Sequence, residues 1–155
     1  MGQEGLGNEV HENEAEFAGV LAHEIAHADK RHSTDQLTRA YGISALLEIV
    51  LGKNQGLLTQ IATQLLQLKY SRNHETEADM QSVIYMYPTR YDARGVKYFF
   101  ERMAQQSGGS GPEFLSTHPN PENRVEEIDK KWQELGGKEG ELFTASYADF
   151  KNTLP

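Results

Sequence analysis

Two histidines and a glutamate that could perform metal chemistry lie within five residues of each other in the segment Phe-Ala-Gly-Val-Leu-Ala-His-Glu-Ile-Ala-His. His23 and His27 are four residues apart, so in a helix their imidazoles lie one above the other on the same face. Two nitrogens in that arrangement can bind one zinc ion at about 2.0–2.1 Å. Glu24 is then able to accept a proton from the water that the zinc activates. The pattern predicts a zinc hydrolase, and a zinc metallopeptidase is the first interpretation.

The residues around this motif predict the helix that must carry it. Asn13 followed by Glu16 is typical of a capping box at the start of a helix. An apolar stripe follows at helical spacing: Phe17, Val20, Leu21, Ile25 and Ala28. We expect this stripe to face the core and to bury the two histidines, whose desolvation a metal ion would offset. The alternative is a surface helix with two solvated histidines.

A third zinc ligand is expected from the acidic segment at residues 71–79. Glu75 and Asp79 are four residues apart and share one helical face, whereas Glu77 points about 160–200° away from both. If Glu75 binds the zinc, Asp79 can accept a hydrogen bond from the outer nitrogen of a ligating histidine. Glu77 is then expected to be solvated or ion-paired. The alternative is an acidic helix start that is stabilised by the helix dipole.

A third polar segment covers residues 116–124. Asn120 is a favoured cap for a helix whose first residue is Pro121. His118 then lies on the entry loop and Arg124 on the first turns, where both could point into a cleft and stabilise an oxyanion. Without the other two segments, His118 would be interpreted as an ordinary loop residue.

Taken together and in this order, these segments resemble one family, the gluzincin metallopeptidases of family forty-eight. It includes HtpX-like heat-shock proteases, CAAX prenyl proteases and BepA-like periplasmic proteases. The matching stretches are Asn13–Glu16 with His23–His27, then Ser71–Asp79, Tyr91–Gly95, Thr117–Pro119 and Arg124. The resemblance covers roughly residues 13–135.

The resemblance implies the roles of the site residues. It implies one zinc ion per chain with three protein ligands: His23, His27 and Glu75. Glu24 is implied to be the catalytic base. Asp79 is implied to contact a ligand residue and not the metal itself. His118 and Arg124 match positions that approach the metal or the bound substrate. In some members the equivalent histidine occupies the open zinc position, so His118 is a candidate switch.

The expected fold is a mainly α, zincin-like catalytic domain over residues 13–155, preceded by a flexible lead or an artificial boundary at residues 1–12. Family members carry an edge strand before the active-site helix, and we expect this strand to be missing here. Ser82 stands where the family usually has a glycine, which we expect to alter only helix packing.

Composition narrows the function classes. A chain of 155 residues is expected to form one domain, and its net charge of −8 argues against nucleic-acid binding. It contains no cysteine, which excludes disulfides and thiolate metal sites. No signal peptide is predicted, and the resemblance favours a bacterial periplasmic or envelope location. The expected partner is a peptide or unfolded protein substrate.

Residues 35–70 predict an αα-hairpin that turns at 52–56. Its apolar runs are shorter than the ~20 residues of a membrane span, so a core hairpin or a lid beside the cleft is favoured over membrane contact. Self-association through this hairpin stays open.

The remaining pattern predicts helices at residues 74–87, 95–106, 121–135 and about 147–151, with a flexible loop at 107–112. In the helix at 95–106 the apolar positions are Val96, Phe99, Phe100 and Met103. We expect the short last helix to pack through Phe143, Tyr147 and Phe150. His32 is interpreted as a partner of a helix dipole, and His11 and His74 as surface residues.

The favoured function is zinc-dependent hydrolysis of peptide bonds. Two alternatives share the same ligands: a zinc-binding but catalytically silent domain that binds proteins, and a zinc hydrolase of small esters or amides. Only the family resemblance favours peptides among the three.

Overall fold

The computed structural model describes residues 12–65, 69–106, 116–118 and 123–154. Seven helices occupy these ranges: α1 Glu14–Asp29, α2 His32–Val50, α3 Gln55–Leu65, α4 Arg72–Met86, α5 Gly95–Gln106, α6 Arg124–Glu134 and α7 Thr144–Thr153. Over these residues the one strand-like feature is a parallel bridge between Tyr91 and Glu141. The prediction of a mainly α chain is therefore confirmed for the described part.

The core lies where α1, α4, α5 and α6 meet. Its largest apolar members come from the last three of these helices: Val83, Met86, Val96, Phe99, Phe100, Met103, Ile128 and Trp132. Burying each such side chain stabilises the fold by about 1.5–3 kcal/mol. The four apolar positions predicted for α5 are all buried, as expected from their helical spacing.

Helix α1 faces the core with a different side from the one predicted. Phe17, Leu21 and Ile25 are each about half exposed. The buried side instead carries small residues, the two histidines and the capping glutamate: Ala15, Glu16, Gly19, Ala22, His23, Ala26 and His27. The prediction of a core-facing apolar stripe was wrong, because hydrophobicity alone does not show how closely two helices approach.

Close contact with α5 explains why small residues are buried here. A Cβ on Gly19 would lie 2.2 Å from the Val96 nitrogen, and one on Gly95 would lie 1.9 Å from the Ala15 carbonyl oxygen. Both distances are far shorter than van der Waals contact. The backbones of α1 and α5 therefore touch, and larger side chains are forced to the outer face of α1.

The start of α1 is as predicted, but its end is not. Asn13 caps the helix by accepting a hydrogen bond from the Glu16 amide at 2.9 Å. The helix ends at Asp29, and Arg31 adopts a left-handed conformation with φ of 56°. This turn makes His32 the first residue of α2, so its expected role at the end of the first helix was wrong.

The predicted hairpin consists of α2 and α3. Gly52, with φ of +70°, follows the end of α2, and Gly42 interrupts it with a non-helical conformation. Within the hairpin Ile61 is buried, whereas several large apolar residues are exposed: Ile43, Leu47, Val50, Leu51 and Leu58. The core alternative is therefore wrong for most of the hairpin. Across the described residues no helix combines the length and apolar character needed to cross a membrane.

The remaining helices lie close to their predicted positions. Helix α4 begins two residues earlier than expected, with Ser71 as its cap, and α7 is longer than expected. Phe143 and Tyr147 are partly buried, but Phe150 is exposed, so its predicted packing was wrong. Asn120, Pro121, the loop at 107–112 and the lead up to residue 11 lie outside the described residues.

Candidate metal centre

Two helices bring the candidate ligands together. Helix α1 places His23 and His27 one turn apart on its buried face, with ring centroids 4.6 Å apart. Helix α4 packs against α1 and directs Glu75 from its first turn toward both rings. All three side chains are almost completely buried. The structure therefore brings together the three residues that the sequence predicts as ligands.

A fourth donor, His118, completes the cluster. Its Nδ1 lies 3.0 Å from Glu75 Oε1 and 3.4 Å from His23 Nε2. His23 Nε2 also lies 3.0 Å from His27 Nε2 and 3.4 Å from Glu75 Oε2, and His27 Nε2 lies 3.3 Å from Glu75 Oε1. Each of the four residues thus offers one candidate ligand atom, and these atoms all lie within 4.8 Å of one another.

These distances fit a zinc ion. Four ligands at about 2.0–2.1 Å in tetrahedral geometry have donor atoms about 3.3–3.4 Å apart. Five donor pairs, which involve both oxygens of Glu75, are separated by 3.0–3.4 Å, close to this value, and the four candidate ligand atoms all lie within 4.8 Å of one another. Three imidazoles and one carboxylate are also a donor set that zinc accepts readily. The residues present therefore fit the metal.

Electrostatics hold Glu75 in its charged form. Burial would raise the pKa of Glu75, but hydrogen bonds with His118, His23 and His27 outweigh burial and keep this pKa well below its usual range. The two helix histidines differ from each other. Burial lowers the pKa of His27, whereas hydrogen bonds to Asp79 and Glu75 overcome the burial of His23 and raise its pKa.

Asp79 and Arg124 lie directly behind these ligands. Asp79 Oδ1 lies 2.9 Å from His23 Nδ1, the ring nitrogen opposite the donor atom. Arg124 donates from Nε and Nη2 to the two oxygens of Asp79, at 2.5 and 2.9 Å, and from Nη2 to Glu75 at 2.8 Å. Its guanidinium lies 3.8 Å above the centre of the Phe100 ring.

The structure shows the surroundings of Arg124. Sequence reasoning allowed it to point into a cleft and to approach either the metal or the substrate. Its side chain is instead buried and its donors Nε and Nη2 bind carboxylates of α4. This arrangement follows from the net negative charge that Glu75 and Asp79 concentrate at one place, which requires a buried cation nearby.

Glu24 differs from the ligands in being accessible. Its side chain is 44% exposed, and its Oε1 lies 3.3 Å from His118 Nε2. His118 therefore lies between Glu24 on one side and Glu75 on the other. The residue before His118 is also held in place: the Tyr70 amide donates a hydrogen bond to the Thr117 carbonyl, 3.0 Å long.

Two residues next to the centre were missed by sequence reasoning. The ring of Tyr70 stacks on that of His27, with centroids 3.9 Å apart. His32 is buried, and its Nδ1 lies 2.9 Å from His27 Nδ1. The sequence shows a histidine, His32, five residues after His27. It does not show that the left-handed conformation of Arg31 turns the chain and brings His32 back against α1. Glu77, by contrast, is exposed and lies 3.2 Å from His32, in line with its expected pairing.

Comparison of the sequence with those of known proteins identifies its family. The sequence profile of peptidase family M48 matches residues 4–132. The chain is 31% identical over 114 residues to the mitochondrial metalloendopeptidase OMA1 of Arabidopsis thaliana, a match that covers 72% of this chain and 23% of that protein. It is 29% identical over 129 residues to the beta-barrel assembly-enhancing protease of Escherichia coli K12, covering 74% and 26% respectively.

A third relative is the metalloprotease YcaL of Escherichia coli K12. It is 30% identical over 125 residues, which cover 75% of this chain and 48% of that protein. This chain thus spans between 23% and 48% of the length of these three relatives. The family resemblance found in the sequence is confirmed, because the matching profile covers most of the chain: the protein belongs to peptidase family M48.

Proposed function

We propose that this protein is a zinc-dependent endopeptidase that hydrolyses peptide bonds in protein substrates. The observation that carries the proposal is the cluster of four buried donor atoms, contributed by His23, His27, Glu75 and His118 and separated by zinc-like distances. The names of its relatives, which are metalloendopeptidases and proteases, favour peptides over small esters or amides.

His23, His27 and Glu75 would hold the metal. When bound, zinc supplies Lewis acidity, which polarises the scissile carbonyl and makes water a better nucleophile at neutral pH. Glu24 accepts the proton of the attacking water, because its carboxylate is accessible and borders the donor cluster. The same carboxylate then delivers this proton to the leaving amine. Asp79 keeps the proton of His23 on Nδ1, so that Nε2 faces the metal.

His118 decides whether the centre is open. A catalytic zinc site keeps one position for substrate, whereas four protein donors make a closed site. His118 Nδ1 lies 3.0 Å from Glu75 Oε1 and would take the fourth position, while its Nε2 lies 3.3 Å from Glu24 Oε1. Catalysis therefore requires His118 to withdraw, which frees both the fourth position and the base.

This closed arrangement favours one second candidate, a zinc-binding domain that binds proteins without cutting them. The two candidates differ in what happens when the fourth donor is removed. In a latched peptidase, His118→Ala opens the position and cleavage appears or increases. In a silent binding domain the same variant retains polypeptide without cutting it.

The decisive experiment compares the zinc-loaded chain with its Glu24→Gln variant on unfolded casein, followed by gel electrophoresis. We expect cleavage by the wild type, or by His118→Ala if the site is latched. Glu24→Gln should bind zinc equally well and lose turnover by at least about 100-fold, because it cannot accept the proton. Cleavage retained in Glu24→Gln would contradict the assignment of the base.

Location and partners are further parts of the proposal. We place the protein in a bacterial periplasm or envelope, since two of the three relatives above are bacterial; the third is named as mitochondrial. Cell fractionation tests this location. Self-association through the exposed apolar residues of the α2–α3 hairpin is tested by sedimentation velocity at two protein concentrations.

A further inference from the structure

The far side of His27 carries an arrangement that the hydrolytic mechanism does not use. Its Nε2 belongs to the donor cluster, while its Nδ1 faces His32 Nδ1 at 2.9 Å. His32 is buried, with 2% of its surface exposed. Its other nitrogen, Nε2, lies 3.2 Å from Glu77 Oε2. Two imidazoles and a carboxylate therefore form a line that leads from the metal centre to the surface.

Metal binding fixes the protons along this line. A neutral imidazole carries one proton, so if His27 offers the lone pair of Nε2 to a metal, its proton is on Nδ1. His27 Nδ1 then donates to His32 Nδ1, which must be an unprotonated acceptor. The proton of neutral His32 is consequently on Nε2, where it is donated to Glu77. Only this placement of the protons gives both hydrogen bonds, His27 to His32 and His32 to Glu77, one donor and one acceptor each.

The surrounding residues hold His32 in the required orientation. Its ring stacks on that of His74 with centroids 4.3 Å apart and an angle of 13° between the planes. His74 is fixed in turn by Asp35, whose Oδ2 lies 3.0 Å from its Nε2. The left-handed conformation of Arg31 turns the chain sharply enough to bring the first residue of α2 back against α1.

We infer that His32 is a positioning residue, which fixes the tautomer and the ring orientation of the metal ligand His27 and which is itself oriented by Glu77. This inference rests on the proposed zinc site. The two helix histidines are then supported differently. His23 donates to the buried carboxylate of Asp79 directly, whereas His27 reaches a carboxylate only through a second imidazole.

Two substitutions at one position separate positioning from packing. His32→Asn keeps an acceptor near the place of Nδ1, because the amide oxygen can occupy a similar position. His32→Leu fills a similar volume but offers no acceptor. The readout is the zinc dissociation constant, measured without substrate by competition between zinc-loaded protein and a chromogenic chelator.

We expect His32→Leu to weaken zinc binding about 10–100-fold, as observed when outer partners of metal ligands are removed. His32→Asn should restore most of this loss. Glu139→Ala is the control: its carboxylate is 71% exposed and pairs with Arg94, so zinc affinity should stay close to that of the wild type. Equal losses in His32→Asn and His32→Leu would overturn the acceptor role.

A second measurement needs no variant. Long-range ¹H–¹⁵N NMR of the zinc-loaded protein should show the His27 proton on Nδ1 and the His32 proton on Nε2. The opposite tautomer of His32 would overturn the inference even if His32→Leu failed to fold. Failure of the wild type to bind zinc would overturn the proposed function as well, whereas tight zinc binding that is unchanged in His32→Leu would overturn the role of His32 alone.

Discussion

Two arginine–aspartate pairs in this protein have almost the same contact geometry but lie in different surroundings. Arg124 forms a two-pronged contact with Asp79, shares Nη2 with Glu75 and lies 3.8 Å above the centre of the Phe100 ring. Arg94 forms the same contact with Asp92 at 2.9 and 2.7 Å, shares Nη2 with Glu139 and lies 3.9 Å above the centre of the Trp132 ring.

The difference lies in what the carboxylates face. The Arg94 pair is local: Asp92 accepts a hydrogen bond from the Arg94 amide at 2.9 Å just before α5 begins, and Glu139 is 71% exposed. The Arg124 pair joins α6 to α4, and both of its acidic partners are buried and contact metal-site histidines.

The comparison teaches that the chemistry of an ion pair does not reveal its role. Any buried carboxylate needs a partner, so both pairs are expected on energetic grounds alone. Only the Arg124 pair contacts groups of the proposed metal site, because its carboxylate partners Asp79 and Glu75 also lie against the imidazoles of that site.

The largest difference should appear when each arginine is removed. Arg124→Leu leaves two buried carboxylates without their cation and should lower the free energy of unfolding by about 3–5 kcal/mol in metal-free protein. Arg94 is itself 15% exposed and its second acidic partner, Glu139, is 71% exposed, so Arg94→Leu should cost less, about 1.5–3 kcal/mol. Urea denaturation in excess chelator measures both. Equal losses would mean that burial does not distinguish the two pairs.

The glutamate that each arginine shares provides the next test. Glu75→Ala removes a proposed ligand, and since zinc binding contributes about 10–16 kcal/mol over four ligands, it should weaken zinc affinity roughly 100-fold or more. Glu139→Ala should leave zinc affinity unchanged. Isothermal titration with zinc measures the dissociation constants.

Glu77→Ala is the matched control on the same helix as Glu75. Its carboxylate is exposed and reaches the site only through His32, so its effect on zinc affinity should be far smaller. If Glu75→Ala and Glu77→Ala weakened zinc binding equally, the choice of ligand by helical face would be contradicted.

Neutralising each aspartate sharpens the comparison further. Asp79→Asn keeps the shape but weakens the acceptor for His23 Nδ1, so zinc affinity should fall about 10–100-fold. Asp92→Asn should not change it, because Asp92 contacts no metal-site residue in the described structure. Cobalt substitution gives a second readout, since the visible spectrum should change in Asp79→Asn alone.

The smallest expected effect is a pH dependence of the Arg94 pair. Burial would raise the pKa of Asp92, but its hydrogen bonds with Arg94 outweigh burial and lower this pKa below the unfolded value of 3.8. The unfolded chain therefore binds this proton more tightly than the folded one, so the stabilisation is present above about pH 4 and is lost as pH falls through the folded pKa.

Asp92→Asn should accordingly cost about 1–2 kcal/mol at pH 7, because the ion pair with Arg94 is lost and the acceptor of the Arg94 amide becomes uncharged. The difference from the wild type should shrink as the pH falls below about 4. Denaturation curves at several pH values measure it, and a difference that grew on acidification would contradict the sign.

Local patterns predicted most of the helices. Asn13 marks the start of α1 because its side chain satisfies a free amide, whereas the cap of α4 at Ser71 was not predicted. Gly52 and Gly136 follow helix ends because they tolerate positive φ. The apolar spacing of α5 predicted its buried face correctly. These features depend on residues within one or two turns of each other, so a sequence contains them directly.

Predictions failed where distant elements decide the outcome. Phe17, Leu21 and Ile25 were predicted to face the core, but the close contact of α1 with α5 leaves room only for small residues. His32 was predicted to interact with a helix dipole, but the left-handed conformation of Arg31 brings it against His27 of the candidate metal centre. In both cases the controlling distance joins atoms that the sequence does not show to be close.

The sequence by itself determined the chemistry of the centre: the His-Glu-x-x-His spacing follows from the pitch of a helix, and the separation of Glu75 from Glu77 follows from the same 3.6-residue turn. The tertiary structure decided how that chemistry is held. Only the long-range packing of the described segments could show that Arg124 binds the carboxylates of Glu75 and Asp79, that His118 Nδ1 lies beside Glu75 and that His32 Nδ1 lies beside His27 Nδ1. Helical periodicity is a local property of the chain, whereas the convergence of α1, α4 and the segment of His118 depends on contacts between residues that are far apart in the sequence.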